Sequence, residues 1–218
     1  MITEAINEFS LGDPRLLSTD IGPVIDQEAK QNLENHKANM RKVARAYVEL
    51  EAPTNGHFVA PAVYLLDNLN QLQREVFGPI LHIVRYKKEN LVNVLNEVNA
   101  KGYALTGGCH SRIRKQMDLV EKHLHCGNFY INRNIVGAVV GVQPFGGHGL
   151  SGTGPKAGGE FYLQRLTKTD RYYSQFGDEN TLGNAQPVLD SITGERNSLA
   201  YLPSEVAILN GDLAASEK

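Results

Sequence analysis

An α/β fold, a parallel sheet flanked by helices, is predicted by three observations. Between residues 80 and 132 strand-type and helix-type segments alternate, which is the grammar of a parallel sheet. The chain of 218 residues is 41% hydrophobic and 21% charged, values of a globular protein with a real core and not of a disordered one. A glycine-rich loop over 142–159 then interrupts regular structure, as functional loops on such sheets do.

Taken in order, Ile2, Ala5, Ile6 and Phe9 share one helical face with no capping residue before it, the pattern of a chain that begins within an element. Asp26 is a suitable N-cap for a polar surface helix over 27–47, which ends before Pro53. After the turn at Pro53-Thr54-Asn55-Gly56, residues 58–66 and 80–86 carry strand-type side chains, and Glu75-Val76-Phe77-Gly78-Pro79 separates them. Leu91, Val94, Leu95 and Val98 mark a helix over 89–100, and a short strand follows over 104–111. Ile113, Met117, Val120 and Leu124 mark a second helix over 112–124, followed by a strand over 128–132. The loop over 142–159 holds too much Gly and Pro for either ladder, and 161–173 suits a short helix and a strand. Beyond Gly177 small polar residues dominate, with 199–209 the one later stretch suited to pairing and the last residues frayed.

Composition excludes several function classes. Twenty-two Lys+Arg against 24 Asp+Glu give a net charge of -2 without a long block of like charge, so neither nucleic acid nor an acidic membrane surface is an expected partner. The longest apolar run, Val136-Gly137-Ala138-Val139-Val140-Gly141-Val142, falls far short of the roughly 20 residues of a membrane span. The N-terminus lacks the basic and apolar regions of a signal peptide, and two cysteines make no disulfide scaffold. A reducing cytoplasm is the expected location.

Three motifs bear on chemistry. Gly147-His148-Gly149-Leu150-Ser151-Gly152 has the form GxGxxG, but a dinucleotide fingerprint must follow a strand directly, and here Gln143-Pro144-Phe145-Gly146 precedes it. The alternative is a loop whose backbone packs closely against a neighbour. Cys109-His110 and His123-Leu124-His125-Cys126 offer zinc-ligand types at poor spacing; the alternative places Cys109 buried on a strand and the histidines at a helix C-terminus. Neither cysteine has the helix N-terminus or cationic neighbour that activates a thiolate, and no GxSxG, HExxH or Walker sequence is present. No complete catalytic constellation emerges, and no metal site is expected.

Glu75-Val76-Phe77-Gly78-Pro79, followed by Pro144-Phe145-Gly146-Gly147 and Ser151-Gly152, resembles the aldehyde dehydrogenase superfamily. The run from Gly127-Asn128-Phe129-Tyr130-Ile131-Asn132 through Gly137-Ala138-Val139-Val140-Gly141-Val142-Gln143, continued by Ser151-Gly152-Thr153-Gly154-Pro155-Lys156, is similar to its glutamate-semialdehyde (1-pyrroline-5-carboxylate) dehydrogenase branch, the module found in bifunctional proline-utilization enzymes. Leu11-Gly12-Asp13-Pro14, Asp20-Ile21-Gly22-Pro23 and Thr193-Gly194-Glu195-Arg196-Asn197 are similar to that branch too.

The resemblance implies NAD-dependent oxidation of L-glutamate γ-semialdehyde to L-glutamate in proline catabolism. It assigns Glu75 to the hydroxyls of the nicotinamide ribose, for which a carboxylate is a fitting double acceptor, and Phe77 to packing against the nicotinamide. It assigns Gly137 and Ala138 to a loop whose backbone N–H groups anchor the substrate carboxylate, and Phe145 to an apolar wall. Asn132 and the glycine-rich 147–152 segment are expected to hold these loops in shape, with Ser151 a turn hydroxyl bonding backbone. The family's nucleophilic cysteine, general-base glutamate and dinucleotide domain precede the region matched. The chain is therefore expected to be a fragment, inactive alone: a partial catalytic domain over 1–165, an oligomerisation strand over 166–176 that makes a homo-oligomer, and an irregular tail over 177–218. FAD is expected only in the separate proline dehydrogenase domain of a bifunctional parent. The alternative function is a non-catalytic structural or assembly module, and a small metal-binding domain through Cys109, His110, His123 and Cys126 is a further alternative.

Overall fold

A computed structural model describes residues 2–152, 154–159, 161–166, 188–189 and 194–200. The chain forms two compact units, Met1–Ile135 with His148–Gly152, and Val136–Gly147 with Thr153–Lys218.

The first unit opens with α1 (Ile2–Asn7), of which Ile6 is buried while Ile2 and Ala5 are exposed, and Phe9, expected on the same face, lies beyond the helix and is exposed. Helix α2 (Gln27–Val43) starts at the expected cap: Asp26 Oδ1 accepts from the Ala29 N–H at 2.7 Å. It ends earlier than the sequence pattern suggests, at Val43, where Ala44 turns extended and donates to the Met40 carbonyl. Tyr47 lies instead in β1 (Ala46–Glu49), opposite Tyr64 of β2 (Ala62–Leu66). The aromatic and β-branched side chains of Tyr47 and Val48 suit a pleated surface better than a final helical turn. Nor is α2 merely a surface helix. Leu33, Lys37 and Met40, spaced i, i+4, i+7, form a buried stripe.

Strand β2 is the centre of a three-stranded sheet, antiparallel to β1 and parallel to β3 (Ile80–Val84), so the sheet is mixed. The strand expected over 58–66 begins only at Ala62, because Pro61 has no N–H to give a ladder. Its alternation places Ala62, Tyr64 and Leu66 in a core with Met40, closed by Ala44, Leu72, Ile80 and Val84. Residues 75–79 carry no helix or strand, as expected.

Next come α3 (Leu91–Ala100), β4 (Tyr103–Ala104), β5 (Thr106–Cys109), α4 (Arg114–His123) and β6 (Asn128–Ile131), whose strands form separate two-stranded sheets and do not join β3 in the single parallel sheet expected. Strands β5 and β6 pair in parallel around α4, the predicted crossover unit. Leu91, Leu95 and Val120 form its core, with Cys109, Leu124 and Phe129 packed against them.

The glycine-rich loop contains a ladder after all. Strand β7 (His148–Gly149) pairs antiparallel with β4. Gly149 makes this possible: its φ is +56°, and a Cβ there would lie 2.5 Å from the Gly102 carbonyl oxygen. The second unit holds an antiparallel bridge between Phe145 and Ala157, the short helix α5 (Tyr162–Arg165), and a ribbon of β8 (Val188–Leu189) with β9 (Asn197–Ser198). The oligomerisation strand expected over 166–176 and the pairing stretch over 199–209 fall almost entirely outside the described residues.

Candidate functional site

In the first unit, Glu75 and Phe77 lie on the segment that leads into β3. The turn before it is fastened from both sides. Asn68 Oδ1 accepts from the Asn70 N–H at 3.0 Å, while Gln71 Oε1 accepts from the Asp67 N–H at 2.7 Å and its Nε2 donates to the Val43 carbonyl at 2.8 Å. After it, Gly78 fits under Leu33, whose methyl carbons would stand 2.6 Å from an added Cβ. The peptide then joins the sheet through the Ala62 N–H, which donates to the Pro79 carbonyl at 3.0 Å. Between these anchors Glu75 is exposed, and among the described residues its carboxylate has no hydrogen bond or ion pair. Phe77 is 78% exposed. An unspent double acceptor two residues from an uncovered aromatic face fits a ligand carrying a vicinal diol and a flat ring, so this chain's residues suit a dinucleotide.

In the second unit, Gly137 and Ala138 are half-buried and open a tight turn. The Val142 and Gln143 N–H groups both donate to the Val139 carbonyl, at 3.1 and 2.9 Å, and Gly141 takes a φ of +82°. A Cβ at Gly137 would meet no heavy atom within 4 Å. Phe145 is half-buried and held by a reciprocal backbone pair with Ala157, at 2.9 and 2.8 Å. Lys156 Nζ donates to the Gly146 carbonyl at 3.1 Å.

Asn132 and Ser151, expected to hold the ligand loops in shape, bond instead to backbone at Ser111 and Ala104. Asn132 adopts φ +56°, a conformation asparagine tolerates, and its carboxamide both accepts from the Ser111 N–H and donates to the Ser111 carbonyl, each at 2.9 Å. Ser151 Oγ accepts from the Ala104 N–H at 3.1 Å. The GxGxxG segment thus packs as backbone against backbone and follows no strand. Cys109 ends β5 half-buried, less enclosed than expected, and Cys126 Sγ donates to the Asn128 carbonyl at 3.4 Å. Asn99 clasps the turn at His123 and His125 through both ends of its carboxamide. Among the described residues no three His, Cys, Asp or Glu side chains gather as a metal site would require, and no helix is long and apolar enough to cross a membrane.

Sequence reasoning missed three polar features. Lys37 is 2% exposed, donates to the Ala60 carbonyl at 3.3 Å and pairs with Glu34 and Glu49 at 3.5 Å. Arg41 grips Glu49 through Nε and Nη2, at 2.9 and 2.6 Å, and the Tyr64 hydroxyl donates to the same carboxylate. Burial pushes Glu49 upward, but those hydrogen bonds and the charge on Lys37 leave it below the usual carboxylate value, while burial and Glu49 raise Tyr64. His36 and His82 meet Nε2 to Nε2 at 2.9 Å, one necessarily the donor, and burial followed by the neighbouring ring lowers His82 to about 4. The third is Gln143, 8% exposed in the second unit. Only its place between a valine run and Pro144-Phe145 hinted at burial.

Residues 1–171 match the aldehyde dehydrogenase family, and the chain belongs to it. It is 51% identical over 174 residues to the bifunctional protein PutA of Escherichia coli (strain K12), which covers 76% of this chain and 13% of that protein. It is 36% identical over 165 residues to the 1-pyrroline-5-carboxylate dehydrogenase of Geobacillus sp. (strain WCH70), covering 74% of this chain and 32% of that one. Among solved structures, a proline utilization A (PutA) protein of Bradyrhizobium japonicum superposes with a TM-score of 0.72 at 53% identity, over 76% of this chain and 17% of that chain. A Thermus 1-pyrroline-5-carboxylate dehydrogenase with bound NAD superposes with a TM-score of 0.67 at 34% identity, over 75% of this chain and 32% of that chain. The chain thus spans a third or less of the relatives it matches.

Proposed function

We propose that this chain is part of an NAD-dependent dehydrogenase that oxidises L-glutamate γ-semialdehyde to L-glutamate in proline catabolism, and that it works in the cytoplasm. The observation that carries the reading is the pairing of the unspent Glu75 carboxylate with the uncovered Phe77 ring on a segment locked at both ends. NAD, when bound, supplies the acceptor for the electron pair that leaves the aldehyde carbon. Glu75 accepts from the ribose hydroxyls and Phe77 lies against the nicotinamide. Gly137 and Ala138 donate backbone N–H groups to the substrate carboxylate, and Phe145 borders its aliphatic stem. Specificity then follows, because donors desolvated around a missing carboxylate are left unpaired.

The nucleophile comes from residues outside this chain, since Cys109 ends a strand and Cys126 follows the C-terminus of α4, neither at a helix N-terminus that would activate a thiol, and the chain alone is inactive. Its partners are the semialdehyde, the nucleophile- and NAD-domain-bearing segments, and further copies in a homo-oligomer. FAD belongs to a separate proline dehydrogenase domain.

The test measures NADH formation from glutamate semialdehyde by this chain alone and by the same chain joined to those segments. Activity in the joined polypeptide only is expected. Activity in the short chain would make Cys109 or Cys126 a nucleophile and overturn the assignment, and silence in both would favour a structural module. In the joined polypeptide Ala138→Pro, which deletes one donor, is expected to raise KM for the semialdehyde about tenfold, the equivalent of one hydrogen bond, and to leave KM for propanal within about twofold. Equal effects on both aldehydes would remove the carboxylate role.

A further inference from the structure

The turn that follows Gly137 and Ala138 is held from within by one side chain. Gln143 Oε1 accepts from the Val139 N–H at 3.0 Å. Its Nε2 donates to Asn197 Oδ1 at 2.9 Å and to Glu195 Oε2 at 3.3 Å. Both amide hydrogens and the carbonyl oxygen are therefore engaged, on a residue 8% exposed. A buried carboxamide with every polar atom partnered is costly to disturb and fixes its surroundings in one arrangement. Here the surroundings are the peptide immediately after Ala138 and residues 195–197, which lead into β9. Glu195 and Asn197 lie beyond residue 171, where the match to the aldehyde dehydrogenase family ends. All of these groups belong to the second unit.

We infer that Gln143 is a positioning residue for the carboxylate-anchoring turn, and that Asn197 and Glu195 complete the latch, so that a segment outside the family-matched region sets specificity for a carboxylate-bearing aldehyde. This rests on the function proposed above. By occupying the Val139 N–H, the carboxamide oxygen withdraws that donor from competition with the anchoring turn and fixes the peptide that follows Ala138. By donating to Asn197 and Glu195, the amide nitrogen keeps its own oxygen from swinging away. Were the latch released, the Val139 N–H would compete for the ligand and the turn would sample other geometries, a cost borne only by substrates that use the anchor.

The experiment uses the joined polypeptide and compares Gln143→Met, which keeps the volume, with Asn197→Leu, which removes one acceptor, and Asn197→Asp, which keeps an acceptor oxygen. Each is assayed with glutamate semialdehyde and with propanal, and glutarate binding is measured by titration calorimetry. Gln143→Met is expected to raise KM for the semialdehyde and Kd for glutarate about tenfold, the effect of one hydrogen bond on binding, with kcat nearly constant. Asn197→Leu follows in the same direction by about threefold, Asn197→Asp restores the parental values, and propanal kinetics stay within about twofold throughout. Parallel changes for both aldehydes, or an Asn197→Leu protein with unaltered glutarate affinity, would overturn the latch. If Gln143→Met fails to fold, the Asn197 pair decides alone. Ala138→Pro separates the levels. Discrimination by Ala138→Pro without any by the Gln143 and Asn197 variants sinks this inference and spares the function, whereas indifference to Ala138→Pro sinks the function itself.

Discussion

Two buried polar centres organise this chain, and they act on different kinds of structure. In the first unit Glu49 gathers Lys37, Arg41 and Tyr64, joining α2 to β1 and β2 at the core of the helix–sheet layer. In the second unit Gln143 gathers Val139, Glu195 and Asn197, all of them in loops or a two-residue strand. The first centre is charged and spans regular elements, so losing it exposes a buried cation to an apolar layer. The second is neutral and spans backbone without a ladder, so losing it frees a loop. A buried polar group that ties regular elements bears on the whole layer, and one that ties loops bears on local backbone geometry.

This contrast breaks most readily at Glu49. Glu49→Ala leaves Lys37 and the Tyr64 hydroxyl short of a partner and is expected to lower unfolding free energy by about 3 kcal/mol in urea titration. A loss no greater than that of a surface substitution would mean that the network is not what binds α2 to the sheet. Next comes Gly149→Ala, which must move the Gly102 carbonyl and hold a side chain at positive φ; a loss of about 2 kcal/mol is expected.

The histidine pair sharpens the comparison through pH. His82 is held near 4 and His36 below its ordinary 6.5, in His36 by burial and then by Arg74, so the folded protein takes up fewer protons than the unfolded chain across that interval. Stability is full above about 6.5 and falls as pH drops toward about 4. Thermal scans should show Tm declining through this window, and His82→Phe should flatten the decline; an unchanged slope would assign it to carboxylates instead. The smallest effect belongs to Asp26→Ala, about 1 kcal/mol for a lost N-cap.

Local signals made part of this legible. The cap at Asp26, the crossover from β5 through α4 to β6 and the break at 75–79 all depend on neighbours in sequence, and they stand where the pattern puts them. The end of α2 was not legible, because Tyr47 and Val48 continue an amphipathic pattern as readily as they start a strand, and pairing with β2 decides. The ladder at β7 was hidden for the same reason: His148 and Gly149 have no strand propensity and acquire one from β4. Of the candidate site, the residue types Glu75, Phe77, Gly137, Ala138 and Phe145 were recognisable by resemblance. Charged residues at helical spacing, such as Glu34, Lys37 and Arg41, look like a solvated face, and nothing in sequence tells which of them will be enclosed.

The β7–β4 ladder also bears on the order in which the chain acquires its structure. The crossover unit from Thr106 to Ile131 is contiguous, and Val120 in it packs with Leu91 and Leu95 of the preceding α3, so it closes short loops and is expected to form early. Tyr103 must wait for Gly149 to return from beyond the turn at Gly141, a far longer closure that stabilises little until β5 and β6 are in place. Amide protons at Gly149 and Leu150, which donates to the Gly102 carbonyl, should therefore gain protection from exchange after those of β6, making the family's glycine motif a late arrival in its own fold.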